Sequence, residues 1–180
     1  FWQKPVPLLG GLVLLVVAVI SITWGLVGPN SPPVQTERFG ISAPPGGEFS
    51  LSVTLTDLAV SPEGEMIAYL NGASTGTTPK SLMLRSLGDF APLELAGGSP
   101  LFQPFFSPDS EWVGFVDLAA LEMRRVSVTG GSALPIGNLT STLRGAHWAD
   151  DGDVYFGEAN PGNGIQRVSA LGGEPEELTT

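Results

Sequence analysis

Cysteine is absent from the 180 residues, which excludes disulfides, thiolate metal sites and a cysteine nucleophile while leaving the redox compartment open. Histidine occurs once, at His147, so a multi-histidine metal site has no second imidazole to draw on. Positive charge is scarce: 8 Lys and Arg stand against 18 Asp and Glu, for a formal net charge of −10, and the clustered basic footprint of a nucleic-acid binder is missing. Nucleic acid is therefore not an expected partner. Charged residues make up 14% of the chain and hydrophobic ones 42%, a balance that excludes a disordered polar tail or a highly charged coiled coil. Glycine and proline are plentiful, at 24 and 16 residues; they punctuate a chain with turns and disfavour long helices. An all-β domain is expected.

One stretch departs from that pattern. Leu8 to Val27 carries no charge at all, and at about 1.5 Å rise per residue it would cross about 30 Å of hydrocarbon as a helix. Lys4, Pro5 and Pro7 precede it, Trp24 falls near its far end where an amphipathic ring suits an interface, and Gly28-Pro29-Asn30-Ser31-Pro32-Pro33 would stop it. A cleaved signal peptide and a buried soluble helix are the competing readings. The apolar run exceeds a signal core and no small-x-small cleavage site follows it cleanly, so a single transmembrane α-helix over 8–27 is expected. Lys4 is the only charge before the span and every acid follows it, which makes residues 1–7 a cytoplasmic flank and puts the bulk outside the cytoplasm. Gly10-Gly11 would let a second helix approach and so allow a homodimer, although no small-x-x-x-small motif accompanies the pair. Residues 28–51, rich in Pro, Gly, Ser and Thr, form a juxtamembrane linker with a short strand at Arg38-Phe39-Gly40-Ile41-Ser42.

From residue 52 to 180 the chain repeats itself. Leu58-Ala59-Val60-Ser61-Pro62-Glu63-Gly64-Glu65-Met66-Ile67-Ala68-Tyr69 returns as Pro104-Phe105-Phe106-Ser107-Pro108-Asp109-Ser110-Glu111-Trp112-Val113-Gly114-Phe115, and again as Ala146-His147-Trp148-Ala149-Asp150-Asp151-Gly152-Asp153-Val154-Tyr155-Phe156. A second marker follows each: Leu84-Arg85-Ser86-Leu87, Arg125-Val126-Ser127-Val128 and Arg167-Val168-Ser169-Ala170. Both markers recur with a period near 40 residues, the signature of a propeller blade. In Ser-Pro-acid-Gly the proline presets φ at the second turn position, the acid takes the third, and glycine accepts the left-handed conformation that closes a hairpin. The turn carboxylates are expected in solvent, and the alternation of Met66, Ala68 and Leu70, or of Trp112, Gly114 and Val116, predicts half-buried strands. The fold class is all-β: a partial β-propeller of about three four-stranded blades preceded by the transmembrane helix.

These residues resemble the TolB-like or WD-type propeller in the extracytoplasmic half of certain bacterial receptor-like serine/threonine protein kinases. The span, the Arg38-to-Gly46 segment, the Ser107-Pro108-Asp109 hairpin, Leu143-Arg144-Gly145-Ala146-His147-Trp148 and the Arg167-to-Pro175 run fall in that family's order. The resemblance implies a single-pass protein of the cell inner membrane. A cytoplasmic kinase domain, with its ATP and Mg, would precede Phe1, and the propeller would bind a protein or peptide ligand outside. No catalytic residue and no cofactor of this chain follow from it. Asp89-Phe90-Ala91 lacks the glycine of a metal-binding Asp-Phe-Gly, and Gly162-Asn163-Gly164 has no third glycine and no helix after it. Similar propellers also stand behind membrane-anchored winged-helix transcriptional regulators and in periplasmic scaffolds, so these alternatives stay open.

Arg85, Arg125 and Arg167 recur at what reads as one blade position, either as an inward ring for an anionic ligand or as inter-blade hydrogen-bonding groups. His147 reads as a buried strand residue, Trp112 and Trp148 as core packing. Asp150, Asp151 and Asp153 read as a hairpin turn, the spacing of an EF-hand and its distal Glu being absent. Asn138-Leu139-Thr140 reads as a loop. The orientation is testable directly: alkaline phosphatase fused after Pro33 is expected to be active, and an inactive fusion with an active cytoplasmic reporter would reverse the topology.

Overall fold

The computed structural model describes residues 15–19, 57–73, 78–89, 91–160 and 162–179, and the chain divides into two units, Phe1–Ile41 and Ser42–Thr180. In the first, residues 15–19 are helical, with Leu15, Val16, Val17 and Val19 exposed. The remainder of the expected span over 8–27, and the linker 28–51 with its short strand, lie outside the described residues. Among the described residues no helix is long and apolar enough to cross a membrane.

The second unit carries the repeats. Its strands are β1 (Leu58–Val60), β2 (Met66–Asn71), β3 (Lys80–Ser86), β4 (Leu93–Ser99), β5 (Leu101–Phe106), β6 (Trp112–Asp117), β7 (Glu122–Ser127), β8 (Leu134–Asn138), β9 (Leu143–Trp148), β10 (Asp153–Glu158), β11 (Ile165–Ser169) and β12 (Glu176–Glu177). They form three four-stranded sheets, β1 to β4, β5 to β8 and β9 to β12, each an antiparallel meander in chain order. Each sheet is one blade. β5 lies beside both β1 and β9, so the first strand of every blade is its inner strand.

The repeated hairpins work as their chemistry requires. Gly64 and Gly152 adopt φ of 76° and 88°, and Ser110 takes the same left-handed conformation at 61°. Their N–H groups donate to Ser61 O at 2.8 Å, Ala149 O at 3.1 Å and Ser107 O at 3.0 Å. Ser61 Oγ accepts from Met66 N at 3.0 Å and Ser107 Oγ from Trp112 N at 2.9 Å. Ala149 has no hydroxyl, and the third hairpin is one residue shorter, closing from Ala149 N to Asp153 O at 2.9 Å. Asp151 Oδ1 accepts from Asp153 N at 3.0 Å there, a side chain standing in for the missing serine.

The second strands of the first two blades, β2 and β6, are buried on both faces, not half-buried as the alternation predicted, whereas β10 of the third blade keeps the alternation. In β2, Ile67, Ala68, Tyr69 and Leu70 are at most 4% exposed. The reason is blade-on-blade packing. Ala68, Leu70, Leu82 and Leu84 of the first blade meet Val113, Phe115 and Val126 of the second in one cluster. The alternate residues Val116 and Met123 meet Val154, Phe156 and Val168 of the third in another. A pattern of period two sorts side chains to two faces but says nothing about what covers each.

Two polar devices tie blade to blade. Lys80 on β3 is fully buried, with Nζ 3.9 Å from Asp57 and 4.0 Å above the ring of Phe102 on β5. Burial holds its pKa below the ordinary lysine value, with the Asp57 charge opposing. The second device closes the far end of the second strand in the second and third blades: Asp117 accepts from Ser99 Oγ, and Glu158 from Thr140 Oγ1. Ser99 and Thr140 both lie just before the inner strand of the same blade, so the pair fixes the blade-to-blade crossover. Glu158 also accepts from Thr140 N at 2.6 Å, Ser141 N at 3.3 Å and Asn163 Nδ2 at 2.8 Å. Burial alone would raise its pKa; the hydrogen bonds together outweigh that and hold it below the usual carboxylate range.

Gly114 makes the second interface possible. A Cβ there would lie 2.2 Å from a ring carbon of Phe105, its partner across β5 and β6. The ring, thus seated, meets Trp148 edge-on at 6.4 Å. Gly114→Ala is expected to cost about 1–3 kcal/mol, read as a lowered thermal midpoint; an unchanged midpoint would show that the ring is not seated there. Glu158→Gln is expected to cost about 1.5–3 kcal/mol at pH 7 by losing charge-assisted bonds. Because the folded carboxyl titrates below its unfolded value, its contribution is complete above about pH 4.3 and is lost as pH falls through the folded value. The gap between parent and variant in denaturant midpoint should therefore close in acid, and a pH-independent gap would refute the role of the charge.

Candidate functional site

The sheet register separates the three arginines. Ser86, Ser127 and Ser169 are the equivalent positions: they pair with Met66, Trp112 and Asp153, the first residue of each second strand. Each serine Oγ accepts the N–H two residues on, from Gly88, Thr129 and Leu171. Arg125 and Arg167 stand two residues before their serine, opposite Gly114 and Tyr155, but Arg85 stands one before, opposite Ile67. The equivalent of Arg125 in the first blade is Leu84. The expectation of one shared position is thus corrected: a one-residue offset in a strand sends Arg85 to the opposite face of its sheet.

Arg125 faces the third blade, Arg167 lies on the face of its own sheet turned away from the second blade, and their partners differ. The Arg125 guanidinium lies 4.5 Å above the ring of Trp112, and its Nε is buried without a hydrogen bond. Arg167 donates to Glu176 at 2.6 Å and lies 3.6 Å from Asp153; the Glu176 bond holds its charge firmly. Arg85 lies where its charge reaches Tyr69, whose phenol is raised by burial and lowered in part by that arginine.

Arg125 and Trp112 line a cleft of about 720 Å³ between the second and third blades. Its rim carries the turn acids Asp109, Asp150 and Asp151, all exposed as expected, and its floor reaches Trp148. Hydrogen bonds from Ser107 and from Glu111 N hold the Asp109 carboxyl below the usual range. Asp151 is lowered by the Asp153 N–H and by the Tyr155 hydroxyl, 2.8 Å away. Asp150, Asp151 and Asp153 are therefore placed in and beside the hairpin, and among the described residues no group of three acids or histidines is disposed to hold a metal ion.

A second concavity of about 610 Å³ opens along the inner strands. Leu58 and Val60 of β1, 44% and 54% exposed, stand across from Phe105 and Phe106 of β5 and Trp148 of β9. His147 also lines it. It lies on β9 as expected but is exposed rather than buried: Trp148 takes the core side, and alternation turns its neighbour to the groove. Trp148 is core, and Trp112 is half-buried against the same cluster. Asn138 ends β8 instead of lying in a loop. The inner-strand groove escaped sequence reasoning; the only signal was Leu58 and Val60 preceding the first turn.

The three meanders with inner strands side by side define a TolB-like β-propeller fold. The chain is similar in structure to the putative TolB from Agrobacterium tumefaciens, at 20% identity and a TM-score of 0.54 over 67% of this chain and 47% of that one. Against TolB from Acinetobacter baumannii the values are 13% identity, a TM-score of 0.52, and coverage of 70% and 33%. Against regucalcin from Agrobacterium tumefaciens strain C58, a calcium-binding protein, they are 19%, 0.53, and 69% and 44%. At these identities the likeness is one of fold, and fold alone does not assign a function. The chain spans less than half the length of each of these proteins. No protein-family model matches it, and no curated protein does.

Proposed function

We propose that the chain is a membrane-tethered, ligand-binding propeller on the outer side of the cell inner membrane. In this reading it is the C-terminal part of a serine/threonine protein kinase that signals across the membrane. The observation that carries the binding role is the concave face made by the inner strands and the hairpin turns. Exposed apolar side chains and carboxylates converge there on strands whose own faces are locked in the two cores, and rigid strands bearing loops are what a recognition surface needs. The membrane role is supported by the uncharged run from Leu8 to Val27, and the kinase by the resemblance in segment order. Occupancy of the propeller would then be relayed through the span to the cytoplasmic domain, where ATP and Mg act.

The coding sequence upstream of Phe1 is expected to supply a glycine-rich loop, a strand lysine, a His-Arg-Asp segment and Asp-Phe-Gly. Full-length protein in inverted membrane vesicles should transfer phosphate from ATP to serine or threonine. A winged-helix domain in that place would make the chain a regulator's sensor, and neither would make it a periplasmic scaffold.

A further inference from the structure

We propose that the concave face takes an extended peptide in which an apolar side chain is flanked by lysine or arginine. The apolar side chain would enter the inner-strand groove, and a basic one would lie among Asp109, Asp150 and Asp151. The proposal rests on the binding role above, not on the kinase.

The groove asks for an apolar group. Phe105, Phe106 and Trp148 make its floor, and Leu58 and Val60 stand 44% and 54% exposed at its wall. Large apolar side chains left in water at the mouth of a concavity are the usual mark of a surface that binds. Its volume, about 610 Å³, has room for a side chain of leucine or phenylalanine size together with its backbone.

The neighbouring cleft asks for a cation. Groove and cleft share Pro108, Trp148, Ala149 and Asp150, so one ligand can span both. Asp109, Asp150 and Asp151 line the rim of the cleft in solvent, with Asp150 on the stretch it shares with the groove, and of the two nearby arginines only Arg167 acts on the group, through Asp151. Arg125 is drawn down onto the face of Trp112, and Arg167 is committed to Glu176 and Asp153. The rim is therefore negative in a chain of net charge −10, a field that gathers basic segments and repels acidic ones. The Arg125 and Trp112 pair shows that a guanidinium is accommodated against the aromatic wall of this cleft. A free polyamine would satisfy the rim but leave the groove in water, and a neutral apolar peptide would do the reverse.

The test uses the whole chain in phosphatidylcholine nanodiscs and fluorescein-labelled pentapeptides followed by anisotropy. Gly-Lys-Phe-Lys-Gly is expected to bind. Gly-Glu-Phe-Glu-Gly should not, and Gly-Lys-Ser-Lys-Gly should bind at least about tenfold more weakly. Raising salt from about 0.05 to about 0.5 M should weaken binding severalfold. Leu58→Ser and Asp150→Lys, both at exposed positions that leave the cores intact, are each expected to weaken it about tenfold. Leu93→Ser, at an exposed position on the outer strand β4, should leave it unchanged. Equal binding of the acidic or the serine peptide would overturn the proposal, as would indifference to salt or parental affinity in both groove variants. So would a self-associated chain, by sedimentation, that no longer takes the peptide. Because binding is read on this chain alone, it can succeed where the upstream domain proves not to be a kinase, and fail where that domain is one.

Discussion

Every blade after the first depends on its predecessor for one wall of its core. A four-stranded sheet has two faces, and the second strands here carry apolar side chains on both: Val113 and Phe115 turn one way, Val116 the other. Neither set can leave water within its own sheet. Stacking sheet on sheet resolves this by giving each blade a neighbour, so that the second blade is a shared wall between two cores. The inner strand β5 shows the limit of this arrangement, with all six residues buried because β1 and β9 flank it. Its Gln103, at φ 49°, forms the bulge that admits Pro104, and its amide donates to Leu143 O at 3.2 Å on the next blade.

Apolar stacking is tolerant of sliding, and the polar contacts supply the register. Lys80 over Phe102, Asp117 with Ser99, and Glu158 with Thr140 each join a residue of a second or third strand to the neighbourhood of an inner strand. A buried carboxylate or ammonium is stable only where its partners converge, so each of these contacts discriminates against displaced packings that an oily interface would accept. The hydroxyl-to-carboxylate contacts recur at the same blade position with different residues, serine to aspartate in one and threonine to glutamate in the next. Identity can drift there because the requirement is an acceptor at the strand end and a hydroxyl at the crossover.

The surface left over from this packing is where the chain can recognise something. Side chains on the turn tips and on the free side of the inner strands have no structural duty toward a neighbouring blade. The candidate surface collects these unclaimed groups: Leu58 and Val60 from β1, the three turn acids, His147. The Trp112 ring belongs to both worlds, half-buried against the core and carrying Arg125 on its other side.

The sequence by itself determined the hairpins, the blade period, the three blades of the described residues and the exposure of the turn acids, because each follows from local rules: φ at proline and glycine and the recurrence of the turn motif. Only the tertiary structure decided that β2 and β6 are buried on both faces, that His147 faces a groove while Trp148 faces the core, and that Arg85 does not share the position of Arg125 and Arg167. These depend on which sheet covers which face, and on a one-residue difference in how Ser86 and Ser127 sit relative to the nearest arginine. Spacing in a sequence cannot register that offset, since a strand shifted by one residue keeps its period and exchanges its faces. Lys80 was invisible for the same reason: its partners, Asp57 and Phe102, are brought to it only by the meander and the stacking of the second blade upon the first.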